Sequence, residues 1–144
     1  MFIGADTHKQ AHVLVALDAA GRACGSRTVP NTPEGWTAAL NWARGQQQQH
    51  IHWGVENSGS LGKGFAQFLL AQGEMDVREV VPHRTAQYRR RGRTQDKTDT
   101  ADALAMARLL RAEGEALPAV QADDASTELR LLSGLDSYLW TGEV

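Results

Sequence analysis

Two short apolar runs at the start of the chain limit what it can become. Residues 2–6 (FIGAD) and 11–17 (AHVLVAL) are rich in β-branched and large apolar side chains, the composition of strands. Asp18 to Gly21 is turn material, and residues 22–29 read as a third strand that closes a meander. The pattern then changes period. Thr32 can cap a helix, Pro33 suits its first position and Glu34 suits its dipole. That helix is expected to run to about Arg44, with Trp36, Leu40 and Ala43 at i, i+4 and i+7 and Gly45 after it. Gln46 to Gln49 is a polar loop.

Residues 50–55 predict a fourth strand ending at Glu56, and a Gly/Ser-rich turn over 57–64 leads into a helix carrying Phe65, Phe68 and Leu69. Residues 77–81 predict a fifth strand stopped by Pro82, and a last helix begins near Thr98 or Asp99 and reaches about Glu113. The order β-β-β-α-β-α-β-α argues for a mixed α/β sheet, the succession an RNase H-like fold requires. At 144 residues the chain is one domain's worth, without an internal repeat. No apolar run is long enough to span a membrane, and a single cysteine, Cys24, excludes an internal disulfide framework or a thiolate metal cluster. The expected setting is cytoplasmic, and Cys24 is expected to be a small core residue.

Four acids fall where such a fold gathers its chemistry. Asp6 ends the first strand and Glu56 the fourth, while Asp99 and Asp102 open the last helix. Parallel pairing of strands one and four would bring Asp6 and Glu56 out side by side at their carboxyl ends, where open α/β sheets bind ligands. Asp99 and Asp102 are i, i+3 and share a helix face with Met106, Leu109 and Leu110, opposite Arg108 and Arg111. Carboxylates leaning on a core are costly unless neutralised. All-oxygen ligands without cysteine favour Mg²⁺ or Mn²⁺ over Zn²⁺. Two such ions about 3.5–4 Å apart can drive phosphodiester chemistry. Each acid read singly is an ordinary cap, dipole or strand-end residue; the order of all four is what points to a site.

Charge is segregated along the chain despite a net charge of −2. From Arg84 to Lys97 six basic residues, Arg84, Arg89, Arg90, Arg91, Arg93 and Lys97, face one acid, Asp96. This block is either a phosphate-contact surface or a solvated arginine-rich loop. Lys9, three residues beyond Asp6, and His8 are close enough to the acids to touch a phosphate, Lys9 being the better candidate. Tyr88 is the aromatic placed to stack on a base.

The strings GADTHKQAHVLVALD (4–18), VENSGSLGKGFAQFL (55–69) and KTDTADALAMARLL (97–110) resemble the N-terminal domain of the DEDD transposases, the insertion-sequence 110 and 1111 group related to the pilin-gene inverting recombinases. The resemblance implies an RNase H-like, RuvC-type fold over residues 1–117 with Asp6, Glu56, Asp99 and Asp102 as catalytic metal ligands, and two Mg²⁺ or Mn²⁺ ions as the cofactor. It implies metal-dependent cleavage or strand transfer on DNA, a guide RNA from the element as a further partner, and a homo-oligomer of full-length chains. Lys9 and the 84–97 arginines and lysine would then contact nucleic-acid backbone. Relatives continue into a helical region and a domain with a serine nucleophile. Residues 118–144 are accordingly expected to be a linker and the truncated start of that region, with Leu129, Leu132, Leu135 and Leu139 on a stripe broken by Gly134. Where relatives carry an aromatic after the glutamate turn, this chain has Leu61.

Two other readings compete. The same fold could serve as a catalytically inert nucleic-acid-binding or assembly remnant of such a transposase. An actin-like ATPase relative also opens on a Gly-x-Asp strand, but one lobe of this size cannot enclose a nucleotide. Ser60 to Gly64 fails the P-loop pattern at Asn57 and Gly64, so no nucleotide partner is expected; the turn or Lys63 could still meet a phosphate. His50 and His52 read as a polar strand face rather than a metal site, and Trp36, Trp42 and Trp53 as packing residues.

Overall fold

The first strands, β1 (Phe2–Thr7) and β2 (Ala11–Leu17), pair antiparallel, with Phe2 opposite Leu17 and Thr7 opposite His12. This is a computed structural model, and it describes residues 1–46, 50–81, 85, 87, 88 and 99–123. Arg84, Arg89, Arg90, Arg91, Arg93, Lys97, the side chain of Asp99 and the leucine-bearing stretch 124–144 lie outside the described residues. β3 (Ala23–Pro30) adds to β2. Thr32 then caps α1 (Pro33–Arg44) by accepting the Gly35 N–H at 3.1 Å, with Pro33 and Glu34 in the first turn as the sequence predicts.

β4 (His52–Glu56), α2 (Lys63–Ala71), β5 (Asp76–Val80) and α3 (Asp99–Glu113) complete the mixed α/β fold, and a 3₁₀ turn at Gly114–Ala116 follows. The sheet order is β3-β2-β1-β4-β5. β1 and β4 run parallel, as do β4 and β5. The element order is the one read from the sequence. His50 falls outside β4, so the two histidines do not share the strand; His52 Nδ1 lies 2.5 Å from Asp76 Oδ2.

Period-two alternation sorts the strands' side chains. One face carries Ile3, Ala5, Leu14, Ala16, Trp53, Val55 and Val77 against α1 and α2, with Phe65 and Leu69 filling the centre. The other face meets α3 through Val80, Met106, Leu109 and Leu110, and through Val13, Val15 and Ala103. Trp53 is fully buried, and Trp36 and Trp42 are partly buried at the rim of the first cluster. Arg108 and Arg111 are exposed, opposite the buried stripe, as the helix period requires.

The seat of α3 depends on Gly4. A Cβ there would lie 2.4 Å from the Ala103 carbonyl oxygen and 2.5 Å from the Ala107 nitrogen, so backbone meets backbone at this crossing. Ala103 and Ala107 are the buried residues that permit it.

The two sheet edges are finished differently. At β5, the Glu79 N–H donates to the Pro118 carbonyl and the Val120 N–H to the Val77 carbonyl. Residues 118–120 therefore cover that edge, and Val120 packs against the main core. At β3 the register slips: Leu17 faces Ala23 and Ala16 faces Gly25, leaving Cys24 as the extra residue of a bulge. Cys24 is exposed, contrary to the core position expected of it. The bulge takes it out of the alternation that would turn it inward.

Gly4→Ala is expected to lower stability by about 1–3 kcal/mol, the usual cost of overpacking. Gly59→Ala, where an added Cβ meets nothing within 4 Å, serves as the control. Denaturant midpoints decide the matter, and equal midpoints would mean that α3 does not rest on β1 at Gly4.

Candidate active site

Asp6 and Glu56 meet because their strands are parallel neighbours in register. Ala5 is opposite Val55, so the next residue along each strand is one of the acids. Both fall on the α3 side of the sheet by alternation, the side on which Gly4 brings the helix down. Asp6 is only 4% exposed. Its carboxyl group hydrogen-bonds that of Glu56, and the charge of Asp102 on α3 acts on both. His8 completes the group, with Nε2 3.1 Å from Asp6 Oδ2.

The turn after Glu56 is tightly tied. Thr7, on β1, donates its hydroxyl to the Glu56 carbonyl at 2.8 Å. Asn57 takes a left-handed φ of 55°, and its carbonyl accepts both the Ser60 and Gly62 N–H groups. Gly62 is required there, because a Cβ would stand 2.4 Å from the Glu56 carbonyl oxygen. Leu61 is exposed at this turn. Opposite it, the β1–β2 turn exposes Lys9, whose carbonyl accepts from Asn31 Nδ2 at 3.0 Å.

Burial raises the Asp6 pKa and the Asp102 charge adds to the rise, while hydrogen bonds from Glu56 and His8 pull the other way. Burial pushes Glu56 up to about 7, helped by the Asp6 hydrogen bond and by the charges of Asp6 and Asp102; His8 opposes. Two carboxyl groups this close hold one proton between them near neutrality. A cation of hard character can replace that proton, and the donor set of carboxylate oxygens suits Mg²⁺ or Mn²⁺. Among the described residues no three His, Cys, Asp or Glu side chains stand as a ready-made cage. The side chain of Asp99, the fourth acid expected of the site, is outside those residues.

The chain's sequence decides its family. The model of the DEDD transposases of insertion-sequence 110 type, described as "Transposase", matches residues 3–141. The chain belongs to the DEDD transposase family. Its fold is that of RuvC: the solved structure "T. thermophilus RuvC in complex with Holliday junction substrate" superposes with a TM-score of 0.55 at 14% identity. The match covers 82% of this chain and 98% of that one. No curated protein matches. Among the described residues of this transposase domain no helix is long and apolar enough to cross a membrane.

Several expected roles land elsewhere. Tyr88 is half-buried: its ring packs against the Val80–Leu109 cluster and its hydroxyl donates to Glu113 Oε2 at 2.5 Å. Lys63 pairs with Asp123 at 3.3 Å. His8 is the residue that sequence reasoning ranked too low. Two positions past a strand-end acid, it folds back on Asp6, a return that depends on the tight β1–β2 turn. A cleft of about 680 Å³ opens at the other, amino-terminal ends of the strands, near Phe2, His52 and Asp76, and Asp6, Glu56 and Asp102 do not line it.

The raised acids have a thermodynamic consequence. For an acid whose folded pKa exceeds its unfolded value, the folded state binds more protons between the two, so stability falls as pH rises through that window. For Glu56 the window runs from 4.5 to about 7. His12, lowered by burial, acts in the opposite sense below 6.5. The wild type minus Glu56→Gln difference isolates the pair: it should decline from pH 4.5 to 7 without added metal, and flatten with Mn²⁺. Denaturant midpoints across that range check it, and a flat difference without metal would mean that the two carboxyl groups do not share a proton.

Proposed function

We propose that this chain is the catalytic domain of a DNA transposase, cleaving or transferring DNA strands with divalent cations held by Asp6, Glu56, Asp99 and Asp102. The observation that carries the reading is the hydrogen-bonded Asp6–Glu56 pair, with Asp6 buried, at the carboxyl ends of two parallel strands, with Asp102 acting on it from α3. Family membership and the RuvC fold support a DNA substrate, and the RuvC neighbour is itself bound to a Holliday junction.

Mg²⁺ or Mn²⁺, in a pair, would supply an activated water or hydroxyl and stabilise the leaving oxygen of the phosphodiester. The protein's own contribution is derived from its residues. Asp6 and Glu56 would hold a cation through their carboxylate oxygens, in place of the hydrogen bond that now joins them. His8 holds one Asp6 oxygen and so orients the carboxylate toward its partner. The rigid turns carrying Lys9 and Glu56 flank the acids, and Lys9 meets a backbone phosphate approaching them. Arg84, Arg89, Arg90, Arg91, Arg93 and Lys97, preceding α3 in sequence, extend that contact along the strand; their forks and charges match phosphate oxygens. A guide RNA and a homo-oligomer of full-length chains belong to the same reading, as does a cytoplasmic site of action. Residues 1–117 carry the nuclease chemistry.

The test combines binding with cleavage. Mn²⁺ at about 100 times Kd should stabilise the protein by roughly 2.7 kcal/mol, and Asp102→Asn should abolish most of that gain. Branched or supercoiled DNA should be nicked in Mg²⁺ or Mn²⁺, not in EDTA, and not by Asp102→Asn. Nicking that survives both EDTA and Asp102→Asn, or an absence of any Mn²⁺ response with and without DNA, would sink the reading.

A further inference from the structure

Glu79 lies on β5 next to β4, with Val55 opposite it and Glu56 opposite Val80. Alternation turns Glu79 to the α1–α2 face, away from Asp6 and Glu56. It is therefore not placed as a fifth ligand beside them. Its Oε1 instead accepts two donors from Ser58: the backbone N–H at 3.1 Å, and the side-chain hydroxyl. Ser58 is half-buried, as is Glu79.

Ser58 stands two residues past Glu56, directly after Asn57 with its left-handed φ of 55°. A non-glycine residue held there persists when its surroundings over-determine it. Two neighbouring strands supply the ties. β1 contributes the Thr7 hydroxyl on the Glu56 carbonyl, and β5 contributes Glu79 on Ser58. Thr7 fixes the peptide leaving Glu56, and Glu79 fixes the next one, through the Ser58 N–H. Between them the backbone that aims the Glu56 side chain has little freedom left.

We infer that Glu79 is a positioning residue: by clamping both Ser58 donors it holds the Glu56 turn in the geometry that receives a divalent cation. The inference rests on the proposed metal-dependent function. Residues that orient a metal ligand through one intervening contact typically change affinity by about 10- to 100-fold when removed. A merely structural contact would change stability and leave affinity alone.

The experiment uses the full chain and Mn²⁺, with binding read from the loss of the free-ion EPR signal, and amide exchange at Ser58 followed in parallel. Glu79→Leu should weaken Mn²⁺ binding by about 10-fold or more, whereas Glu79→Gln, which keeps an acceptor oxygen, should stay close to wild type. Ser58→Ala should weaken it less, and Ser58→Ala with Glu79→Leu should be no worse than Glu79→Leu alone, since one contact is lost once. Unchanged Mn²⁺ affinity in Glu79→Leu, with only its melting temperature lowered, overturns the inference; so does Glu79→Gln binding as weakly as Glu79→Leu. A wild-type chain that takes up no Mn²⁺ overturns the functional reading and the cation part of this one with it. Ser58 exchange then judges the clamp alone: Glu79→Leu must accelerate it and Glu79→Gln must not.

Discussion

The contact between Gly4 and the Ala103–Ala107 backbone is the constraint on which the rest of the domain depends. Helices normally stand off a sheet by the length of their side chains, and here one strand residue has none to offer. The helix settles onto β1, and its first turn, with Asp102, descends toward the strand's carboxyl end. Gly4 and Asp6 lie on the same face because they are two apart. The residue that admits the helix and the residue the helix approaches are thus one strand step from each other. Packing and chemistry are set by a single crossing.

That crossing also creates the domain's electrostatic burden. Asp6 is nearly inaccessible, Glu56 is bonded to it, and Asp102 adds a further charge from above. Such an arrangement opposes the folded state whenever the acids ionise without compensation. Elsewhere the carboxylates behave differently. Asp76 is disfavoured by burial, yet hydrogen bonds from His52 and Arg78 hold its pKa below the ordinary value. Asp18 is held low by backbone N–H groups of its own turn. Those acids have their compensation built in, whereas among the described residues the Asp6–Glu56 pair has its mutual hydrogen bond and the neighbouring His8.

The sequence was legible wherever a signal was local. Thr32-Pro33-Glu34 announced α1, the buried stripe of Met106, Leu109 and Leu110 announced the inner face of α3, and strand-end positions picked out Asp6 and Glu56. Strand neighbours and register were not legible, because a period of two assigns faces without saying which strand lies alongside. Cys24 was misplaced for a related reason: a bulge is a slip between two strands, and neither strand's own pattern announces it. The Tyr88–Glu113 contact was not legible because the two residues are 25 apart. The clamp from Glu79 to Ser58 spans 21 residues and joins two elements whose adjacency only the fold creates. His8 was the nearest miss, since its contact is short in sequence but depends on how tightly the chain reverses after Thr7.

The unequal finish of the two sheet edges bears on how copies of the domain can associate. An unpaired strand edge is a template for adding another chain's strand. At β5 that template is already occupied by residues 118–120 of the same chain. At β3 it is interrupted by the bulge at Cys24, carries the charge of Arg27 and ends in Pro30, which has no N–H to give. Continuous sheet extension from one domain into the next is therefore disfavoured at both ends. A contact that leaves intact the sheet carrying Asp6 and Glu56 is one made through helical faces and loops.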